Sequence, residues 1–223
     1  TDEFNILMQR PSLTENGQLH FSQICTSRSA QYKPDPGEVI TPDNAINPIN
    51  IVVVARTSSS RLPQKALIKL PNGDATVIFL LKKLAIGLKD KAREYRICLA
   101  TSDDSSDDEL SDLVRSEGFM VYRGSQSDVL QRIICGSSFL GPSRFTIRIT
   151  GDDLLIDTDY LDKMSSFAVS GDYDYCENKI LPSGMEAEIF KNSCLAQLQR
   201  AALNRDGTEY LTFFIRDNKD LFH

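Results

Sequence analysis

The sequence predicts an α/β fold in which a mostly parallel central sheet is flanked by helices. From Ile49 onward, short runs of β-branched and other apolar residues alternate with segments whose apolar residues recur at helical spacing. Such alternation of strand and helix is typical of parallel sheets. The chain has 223 residues, of which 41% are hydrophobic, so it is long enough to enclose one large core.

Four strands and four helices are predicted in this alternation. The first strand, at residues 51–55, lies in the apolar run Ile49-Asn50-Ile51-Val52-Val53-Val54, which is typical of a buried strand. The other strands are predicted at residues 96–100, 119–123 and 145–150, and the helices at residues 76–89, 107–117, 128–140 and 158–170. Ser106 or Asp107 can cap the second helix, and Gly118 stands where a left-handed C-terminal cap belongs.

The first 48 residues differ in composition from the rest of the chain. They are rich in Gln, Ser, Thr, Asn and Pro, and they contain the turn-rich stretch Lys33-Pro34-Asp35-Pro36-Gly37. We expect residues 1–48 to be an N-terminal arm or linker from a larger protein, and residues 49–223 to be one folded domain. Because the sequence begins at Thr1 without a Met, we also expect a processed or excised piece.

Charge and cysteine content exclude several classes of protein. The formal net charge of −6, from 25 basic and 31 acidic residues, disfavours DNA or RNA as partner. The five cysteines are odd in number and widely spaced, which argues against a disulfide framework and against a zinc site. No segment reaches the length of a membrane span. We therefore expect a reduced, cytoplasmic protein without a membrane partner.

Polar loops follow the predicted strands at the point where each strand ends. Residues 55–65, 101–104 and 151–153 all leave the carboxyl end of a strand. Because the carboxyl ends of parallel strands share one edge of a sheet, we expect these loops to converge on one site. The first loop is basic and the third is acidic, which together indicate a nucleotide with a metal ion.

The loop at residues 55–65 is unusually rich in cations and hydroxyls. Arg56, Arg61 and Lys65 can neutralise a triphosphate, and backbone N–H groups and the hydroxyls of residues 58–60 can complete the binding site. The alternative is a solvated loop that only begins the next helix. The loop is not a Walker A motif, because the sequence contains no GxxxxGK[ST].

Two acidic clusters are candidates for metal binding. Asp152 follows the strand at residues 145–150, where a carboxylate suits Mg²⁺, although a helix-capping turn is the alternative. Glu186 and Glu188 lie in residues 185–190, where strand alternation would place both side chains on one face. Because these carboxylates would repel each other beside Asp152, a bound cation is one way to hold them together.

Several motifs recur in a fixed order along residues 49–218. They are Ala55-Arg56-x-x-Ser59-x-Arg61-Leu62-Pro63-x-Lys65, Ala100-Thr101, Arg123-Gly124-Ser125-x-x-Asp128-Val129-Leu130-x-Arg132, Arg148-Ile149-Thr150-Gly151-Asp152-x-x-Leu155-Ile156-Asp157, Gly171-Asp172-Tyr173-Asp174-Tyr175 and Glu186-x-Glu188-x-Phe190. In these motifs the sequence resembles the cytidylyltransferases that activate sugar acids, such as CMP-KDO and CMP-sialic acid synthetases. It is most similar to the spore-coat polysaccharide cytidylyltransferase type.

The resemblance implies a GT-A-like nucleotidyltransferase fold and transfer of CMP from CTP to a sugar acid or related anionic acceptor. Mg²⁺ would bridge the phosphates of CTP, and pyrophosphate would be released. The partners implied are CTP and a small anionic acceptor, with a homodimer and a multidomain chain both left open.

The resemblance also implies roles for individual residues. Catalytic roles fall to Lys65, Arg56 and Asp152, and the triphosphate would be held by Arg56, Ser59, Arg61 and Lys65. The residues expected at the base and ribose are Thr101, Asp103, Gly124 and Ser125. Those expected at the acceptor are Asp128, Arg132 and Glu186, of which Asp128 and Arg132 could instead stiffen the pocket. The expected metal ligands are Asp152, Glu186 and Glu188.

The sequence departs from the family pattern at several positions. The family usually has Gly where Gln64 stands, and Gly would let the backbone approach the phosphates more closely. Asp153-Leu154 replaces Cys-Pro or Glu-Pro, and Thr208-Glu209-Tyr210 replaces Arg-Glu-His. The family's Arg-Trp-Thr-Val-Asp segment has no counterpart in a sequence without Trp. We therefore expect either a domain truncated at its C-terminus or an arm at residues 1–48 that does the work of this segment.

Two other functions fit the same residues. A GT-A glycosyltransferase would use Asp152 and Asp153 to hold Mn²⁺ or Mg²⁺ under the diphosphate of a nucleotide sugar. A non-catalytic domain of a larger assembly would retain only nucleotide binding or partner docking.

Overall fold

The computed structural model describes residues 48–58, 62–177, 181–201, 214–215, 217–218, 220 and 222. The predicted arm lies outside these residues apart from Pro48. Ser59 and Arg61 of the basic loop and the stretch at residues 208–210 also lie outside them.

Six strands form one mixed sheet in the order β3-β2-β1-β4-β6-β5. They are β1 (Ile49–Val54), β2 (Tyr95–Ser102), β3 (Met120–Gly124), β4 (Phe145–Thr150), β5 (Tyr175–Glu177) and β6 (Glu188–Lys191). The first four strands are parallel, and β6 is antiparallel to both β4 and β5. Val54, at the end of β1, is level with Ala100 of β2 and with Thr150 of β4.

In the part of the chain that the structure describes, five α-helices cover both faces of the sheet. They are α1 (Thr76–Leu88), α2 (Asp108–Ser116), α3 (Val129–Phe139), α4 (Thr158–Ser170) and α5 (Asn192–Ala201). Ile51 and Val53 of β1 point to the face covered by α1, α2 and α4, whereas Val52 and Val54 point to the face covered by α3 and α5. The central strand therefore contributes side chains to two separate cores, each burying Val, Ile and Leu residues worth about 1.5–3 kcal/mol apiece.

The predicted strands and helices are confirmed to within two residues at their ends, and Gly118 has the left-handed φ of 84° expected of a C-cap. Asp107 occupies the predicted N-cap position of α2, but its side chain makes no capping hydrogen bond there. Asp104 caps the preceding 3-10 turn (Ser105–Asp107) by accepting from the Ser106 N–H at 2.9 Å. The strand expected at residues 185–190 begins only at Glu188. Neither β5 nor α5 was predicted.

Among the described residues, Cys98, Cys176 and Cys194 are free thiols. In the part of the chain that the structure describes, no helix combines the length and apolarity needed to cross a membrane.

Candidate functional site

The carboxyl ends of β1 to β4 lie along one edge of the sheet, as the sequence predicted. From β1 the chain proceeds to β2 and β3 on one side, and it then crosses over to β4 on the other side. The strand order therefore reverses between β1 and β4. In open α/β sheets, ligands bind in the crevice at such a reversal. The loops that follow β1 and β4 form this crevice.

Lys65 and Asp152 meet in the crevice. The Lys65 Nζ lies 2.5 Å from the Asp152 Oδ2, and the two side chains are 29% and 49% exposed. The carbonyl oxygen of Lys65 accepts a hydrogen bond of 2.6 Å from the hydroxyl of Thr76, which fixes the Lys65 backbone to the start of α1. A solvated ion pair of this kind contributes at most about 1 kcal/mol, so a ligand can separate the two charges at low cost.

The backbone of the basic loop is closed at Gln64. Its N–H donates to the carbonyl oxygen of Thr57 at 2.8 Å, which brings the two ends of the loop together. Gln64 has a φ of 56° and a ψ of 21°, the left-handed conformation that Gly adopts readily. This is also the position where the resembling family usually has Gly.

The loops that follow β1 and β4 are in close contact at Gly151. The Gly151 N–H donates to the carbonyl oxygen of Val54 at 2.9 Å. A Cβ atom added to Gly151 would lie 2.6 Å from the Cβ of Ala55. Only glycine therefore permits this approach of the two loops.

Asp107 is a buried residue of the site that the sequence analysis considered only as a helix cap. One carboxylate oxygen accepts from the N–H and hydroxyl of Thr57, at 2.7 and 2.6 Å. The other accepts from the hydroxyl of Thr101 at 2.9 Å, and from the N–H of Ser102 at 3.1 Å and its hydroxyl. Burial by itself would raise the pKa of Asp107, but the hydrogen bonds from Ser102 and Thr57 lower it. The carboxylate thus ties the start of the basic loop to the end of β2.

The residues expected at the base and ribose separate into two groups. Thr101 is fully buried and its hydroxyl donates to Asp107, so its predicted contact with the nucleotide is wrong for this side chain. Asp103, Gly124 and Ser125 lie together at the ends of β2 and β3, where the Asp103 N–H donates to the Gly124 carbonyl at 2.8 Å. A contact between these three residues and a nucleotide stays a prediction.

Asp128 and Arg132 hold the loop between β3 and α3. The Asp128 carboxylate caps α3 by accepting from the Gln131 N–H at 2.9 Å. Arg132 is only 1% exposed, and its Nη1 donates to the carbonyl oxygens of Ser125 and Gln126 at 2.5 and 2.8 Å. This geometry favours stiffening of the pocket over contact with an acceptor.

Arg56 reaches the same loop from β1. Its Nη1 donates to the carbonyl oxygen of Gln126 at 2.9 Å. The side chain therefore lies on the β3 side of the crevice, whereas Lys65 lies on the β4 side.

Metal binding by Asp152, Glu186 and Glu188 stays a prediction, and two of these carboxylates have partners within the protein. Glu188 accepts hydrogen bonds from Arg148 and from the Tyr175 hydroxyl, and Glu186 accepts from the Gly184 N–H at 2.6 Å. Among the described residues, no group of three or more His, Cys, Asp or Glu side chains is placed to hold a metal ion. Of the three expected ligands, Asp152 faces Lys65 in the crevice, and Glu186 lies before β6, close to Asp153.

Asp153, beside Asp152, is a carboxyl group of different character. It is buried, and its Oδ2 accepts from the Thr150 N–H at 3.1 Å. Burial, followed by the charge of Glu186, raises the pKa of Asp153 to about 7. Burial would also raise the pKa of Glu186, but hydrogen bonds, first from the Gly184 N–H, lower it. The two adjacent aspartates therefore do not act as an equivalent pair.

A cleft of about 330 Å³ opens beside Lys65 and Asp152. Its other lining residues are Leu62, Ile68, Thr76, Gly151 and Leu154. The cleft therefore combines apolar walls with one cation and one anion. Apolar walls lower the local dielectric and so strengthen the interaction of these charges with a bound group.

The sheet, its two helical layers and the charged crevice define the class of the protein as a nucleotidyltransferase-like α/β fold. A cytidylyltransferase structure from Leptospira borgpetersenii superposes with a TM-score of 0.69 at 25% identity, covering 78% of this chain and 73% of that one. CMP:2-keto-3-deoxy-manno-octonic acid synthetase complexed with CTP superposes with a TM-score of 0.58 at 13% identity, covering 78% of this chain and 87% of that one. The second likeness concerns the fold alone.

Sequence comparison gives the family. The spore coat polysaccharide biosynthesis protein SpsF of Bacillus subtilis is 32% identical over 180 residues, which are 79% of this chain and 73% of that protein. An uncharacterised protein of Methanocaldococcus jannaschii is 32% identical over 171 residues, 77% of this chain and 68% of its own. The family profile for cytidylyltransferases matches residues 50–223. The chain belongs to the cytidylyltransferase family, whose members transfer CMP from CTP.

Proposed function

We propose that this cytidylyltransferase transfers CMP from CTP to an oxygen of a sugar acid or a related anionic acceptor, releasing pyrophosphate. The Lys65–Asp152 pair at the crevice between β1 and β4 is the observation that carries the proposal. A metal-bound triphosphate needs a cation for its phosphate oxygens and a carboxylate for its metal ion, and this pair supplies both. The similarity to SpsF, a polysaccharide biosynthesis protein, supports a sugar-derived acceptor.

A single exposed carboxylate fits Mg²⁺. This ion is commonly bound by one or two carboxylates together with substrate phosphates and water, without a cage of protein ligands. Asp152 would hold the ion, which would neutralise charge on the phosphates of CTP. Glu186 and Glu188 are not needed for a site of this kind.

The transfer step makes one bond and breaks one bond. An acceptor oxygen bonds to the α-phosphorus, the bond from that phosphorus to the bridging oxygen breaks, and pyrophosphate leaves with the electron pair. The acceptor hydroxyl loses its proton to solvent. Lys65 stabilises the negative charge that develops on the phosphates, and Arg56, held by the Gln126 carbonyl, binds the substrate from the other side of the crevice.

Thermal stability with nucleotide panels tests the proposal. CTP with Mg²⁺ at about a hundred times its dissociation constant should stabilise the protein by about 2.7 kcal/mol, whereas UTP, ATP, GTP and UDP-sugars should not. Pyrophosphate release should require CTP together with a sugar acid such as 3-deoxy-manno-octulosonic acid or N-acetylneuraminic acid. Stabilisation by UDP-sugars alone would indicate a glycosyltransferase. Nucleotide binding without turnover on any acceptor would indicate a non-catalytic domain.

The substitution Asp152→Asn tests the metal site. The amide keeps the shape of the side chain but loses the charge that the cation needs, so Mg²⁺-dependent CTP binding should be lost with the fold retained. Asp172→Asn is the matched control, because Asp172 is similarly exposed and pairs with Lys191 at 2.8 Å near the opposite edge of the sheet. An unchanged Mg²⁺ dependence in Asp152→Asn would remove this residue from the site.

A further inference from the structure

Asp107 stands at the start of α2 but does not cap this helix. Its backbone occupies the N-cap position, where an Asp side chain commonly accepts from the first N–H groups of the helix. Among the described residues, however, its side chain makes no capping hydrogen bond there. Because the side chain is fully buried, its oxygens have to be satisfied by other groups of the protein.

Five neutral donors surround the Asp107 carboxylate. They are the N–H groups and the hydroxyls of Thr57 and Ser102, together with the hydroxyl of Thr101. Hydrogen bonds to a charged acceptor are stronger than those between neutral groups. The carboxylate therefore serves the basic loop and the end of β2 in place of its own helix.

Thr57 is held at both of its backbone polar groups. Its N–H donates to Asp107 at 2.7 Å, and its carbonyl oxygen accepts from the Gln64 N–H at 2.8 Å. Its hydroxyl lies 2.6 Å from the Asp107 carboxylate and 2.8 Å from the carbonyl oxygen of Ser106. Since Gln64 immediately precedes Lys65, a continuous series of contacts leads from Asp107 through Thr57 to the cation of the crevice.

The backbone of Lys65 has two anchors. Its carbonyl oxygen accepts from the Thr76 hydroxyl at the start of α1, and the contact of Gln64 with Thr57 holds the chain on the other side. The ion pair with Asp152 is solvated, so a ligand can separate it while the backbone stays in place. Charge stabilisation depends on donors that are positioned before the reaction, and a displacement of about 1 Å can cost about a hundredfold in rate.

We propose that Asp107 is a positioning residue for the transfer reaction. By holding Thr57 it fixes the backbone at Gln64 and Lys65, and it thereby places the Lys65 ammonium group against the phosphates of CTP. Asp107 acts through these residues and, being buried, does not itself meet the substrate. This inference rests on the proposed function and adds a residue on which the action of Lys65 depends.

Turnover in two backgrounds separates positioning from a general loss of stability. With saturating CTP and the sugar acid that supports wild-type turnover, Asp107→Asn should slow pyrophosphate release by about tenfold, because the neutral amide holds Thr57 less firmly. In the Lys65→Ala background the same substitution should change turnover by less than about threefold, because the group through which Asp107 acts is absent. An equal fold loss in both backgrounds would overturn the inference.

Thr57→Val and Thr146→Val provide a matched pair of variants. Each replaces a buried threonine whose hydroxyl lies 2.6 Å from a side-chain oxygen, that of Asp107 for Thr57 and that of Asn192 for Thr146. Thr146 is level with Asn50 near the amino end of β1, away from the crevice. Thr57→Val should lower turnover about threefold or more, and Thr146→Val should leave it within about twofold. Equal effects of the two variants would contradict a positioning role.

Hydrogen exchange followed by NMR tests the support of the loop without ligand or turnover. In Asp107→Asn the Thr57 and Gln64 amides should exchange about tenfold faster than in wild type. The Asn192 amide, which donates to the Arg144 carbonyl at 2.9 Å, should be accelerated less. Unchanged exchange at Gln64, or equal acceleration at Asn192, would overturn the inference. If wild type releases no pyrophosphate from CTP with any sugar acid, the proposed function is refuted, and exchange still decides whether Asp107 holds the loop.

Discussion

Lys65 and Arg56 are both cations of the crevice, but they are held differently. Lys65 carries a point charge on a flexible stem and pairs with a carboxylate that a ligand can displace. Arg56 is anchored by the Gln126 carbonyl. We therefore expect the Lys65 contact to strengthen as charge builds on the phosphates, and the Arg56 contact to be similar before and during the reaction.

This difference predicts distinct kinetic effects. Lys65→Ala should lower turnover by about 10²–10³ while changing CTP affinity less, which is the size expected for loss of one charge-stabilising donor. Arg56→Ala should mainly weaken CTP binding. Pyrophosphate release measured over a range of CTP concentrations separates the two effects. Normal turnover of Lys65→Ala at saturating CTP would show that the loop only binds substrate.

Asp107 offers a second prediction at the scale of one residue. A backbone N–H donates to each of its carboxylate oxygens, from Thr57 on one side and Ser102 on the other. In Asp107→Asn the amide NH₂ must face one of these donors in either orientation, so the free energy of unfolding should fall by about 1–3 kcal/mol. Urea denaturation measures this loss. The control Asp104→Asn, at an exposed cap that an amide oxygen can still serve, should change stability by less than about 0.5 kcal/mol.

At the scale of single elements, the basic loop has a strained backbone at Gln64. The left-handed conformation costs an ordinary residue about 1–2 kcal/mol of stability, and Gly avoids this cost. Because Gly has more conformational freedom in the unfolded chain, it also lowers stability by about 0.4–1 kcal/mol. Gln64→Gly should therefore leave the free energy of unfolding equal or up to about 1.6 kcal/mol higher. Gln64→Val should lower it, because a β-branched residue tolerates this conformation poorly. Chemical denaturation of both variants checks the order, and a loss of stability in Gln64→Gly would contradict it.

Elements with regular patterns could be predicted from the sequence, and short or polar ones could not. The first four strands and the four helices between and after them have long apolar repeats, so periodicity located them. β5 spans three residues, which is too few for alternation to be recognised. β6 spans four residues, and alternation indicated a strand there but placed its start three residues too early. The pairing of β6 with β4, and of β5 with β6, is not encoded in any local pattern.

The same limit applies to the site. Convergence of the loops followed from parallel strands, and Lys65 and Asp152 were both identified from their loops. The role of Asp107 was missed because its partners Thr57, Thr101 and Ser102 come from two different strand ends, which the sequence does not show to be neighbours. The hydroxyl residues at both strand ends were the sequence feature that could have indicated a buried carboxylate between them. Burial of Arg132 against loop carbonyls could not be read from its sequence context.

At the scale of the whole molecule, the two cores share the strands of one sheet, and β1 at its centre contributes side chains to both. Leu84 of α1 belongs to one core and Ile133 of α3 to the other, and both are fully buried. Leu84→Ala and Ile133→Ala should each lower the free energy of unfolding by about 2–5 kcal/mol. Because β1 connects the two cores, unfolding should stay a single transition in both variants, with coincident curves from circular dichroism and tyrosine fluorescence. Separate transitions for the two faces would contradict this expectation.

The contact of Gly151 with Ala55 sets the width of the crevice. The separation of the basic loop from the acidic loop is kept small by the absence of one methyl group, since any side chain at Gly151 would act as a wedge between the two loops. The spacing of the loop backbones that carry Lys65 and Asp152 thus depends on two small residues without charge. Re-engineering this enzyme for a bulkier or smaller phosphate donor would have to begin at Gly151 and Ala55. Exchanging the charged residues would leave the gap between the loops unchanged.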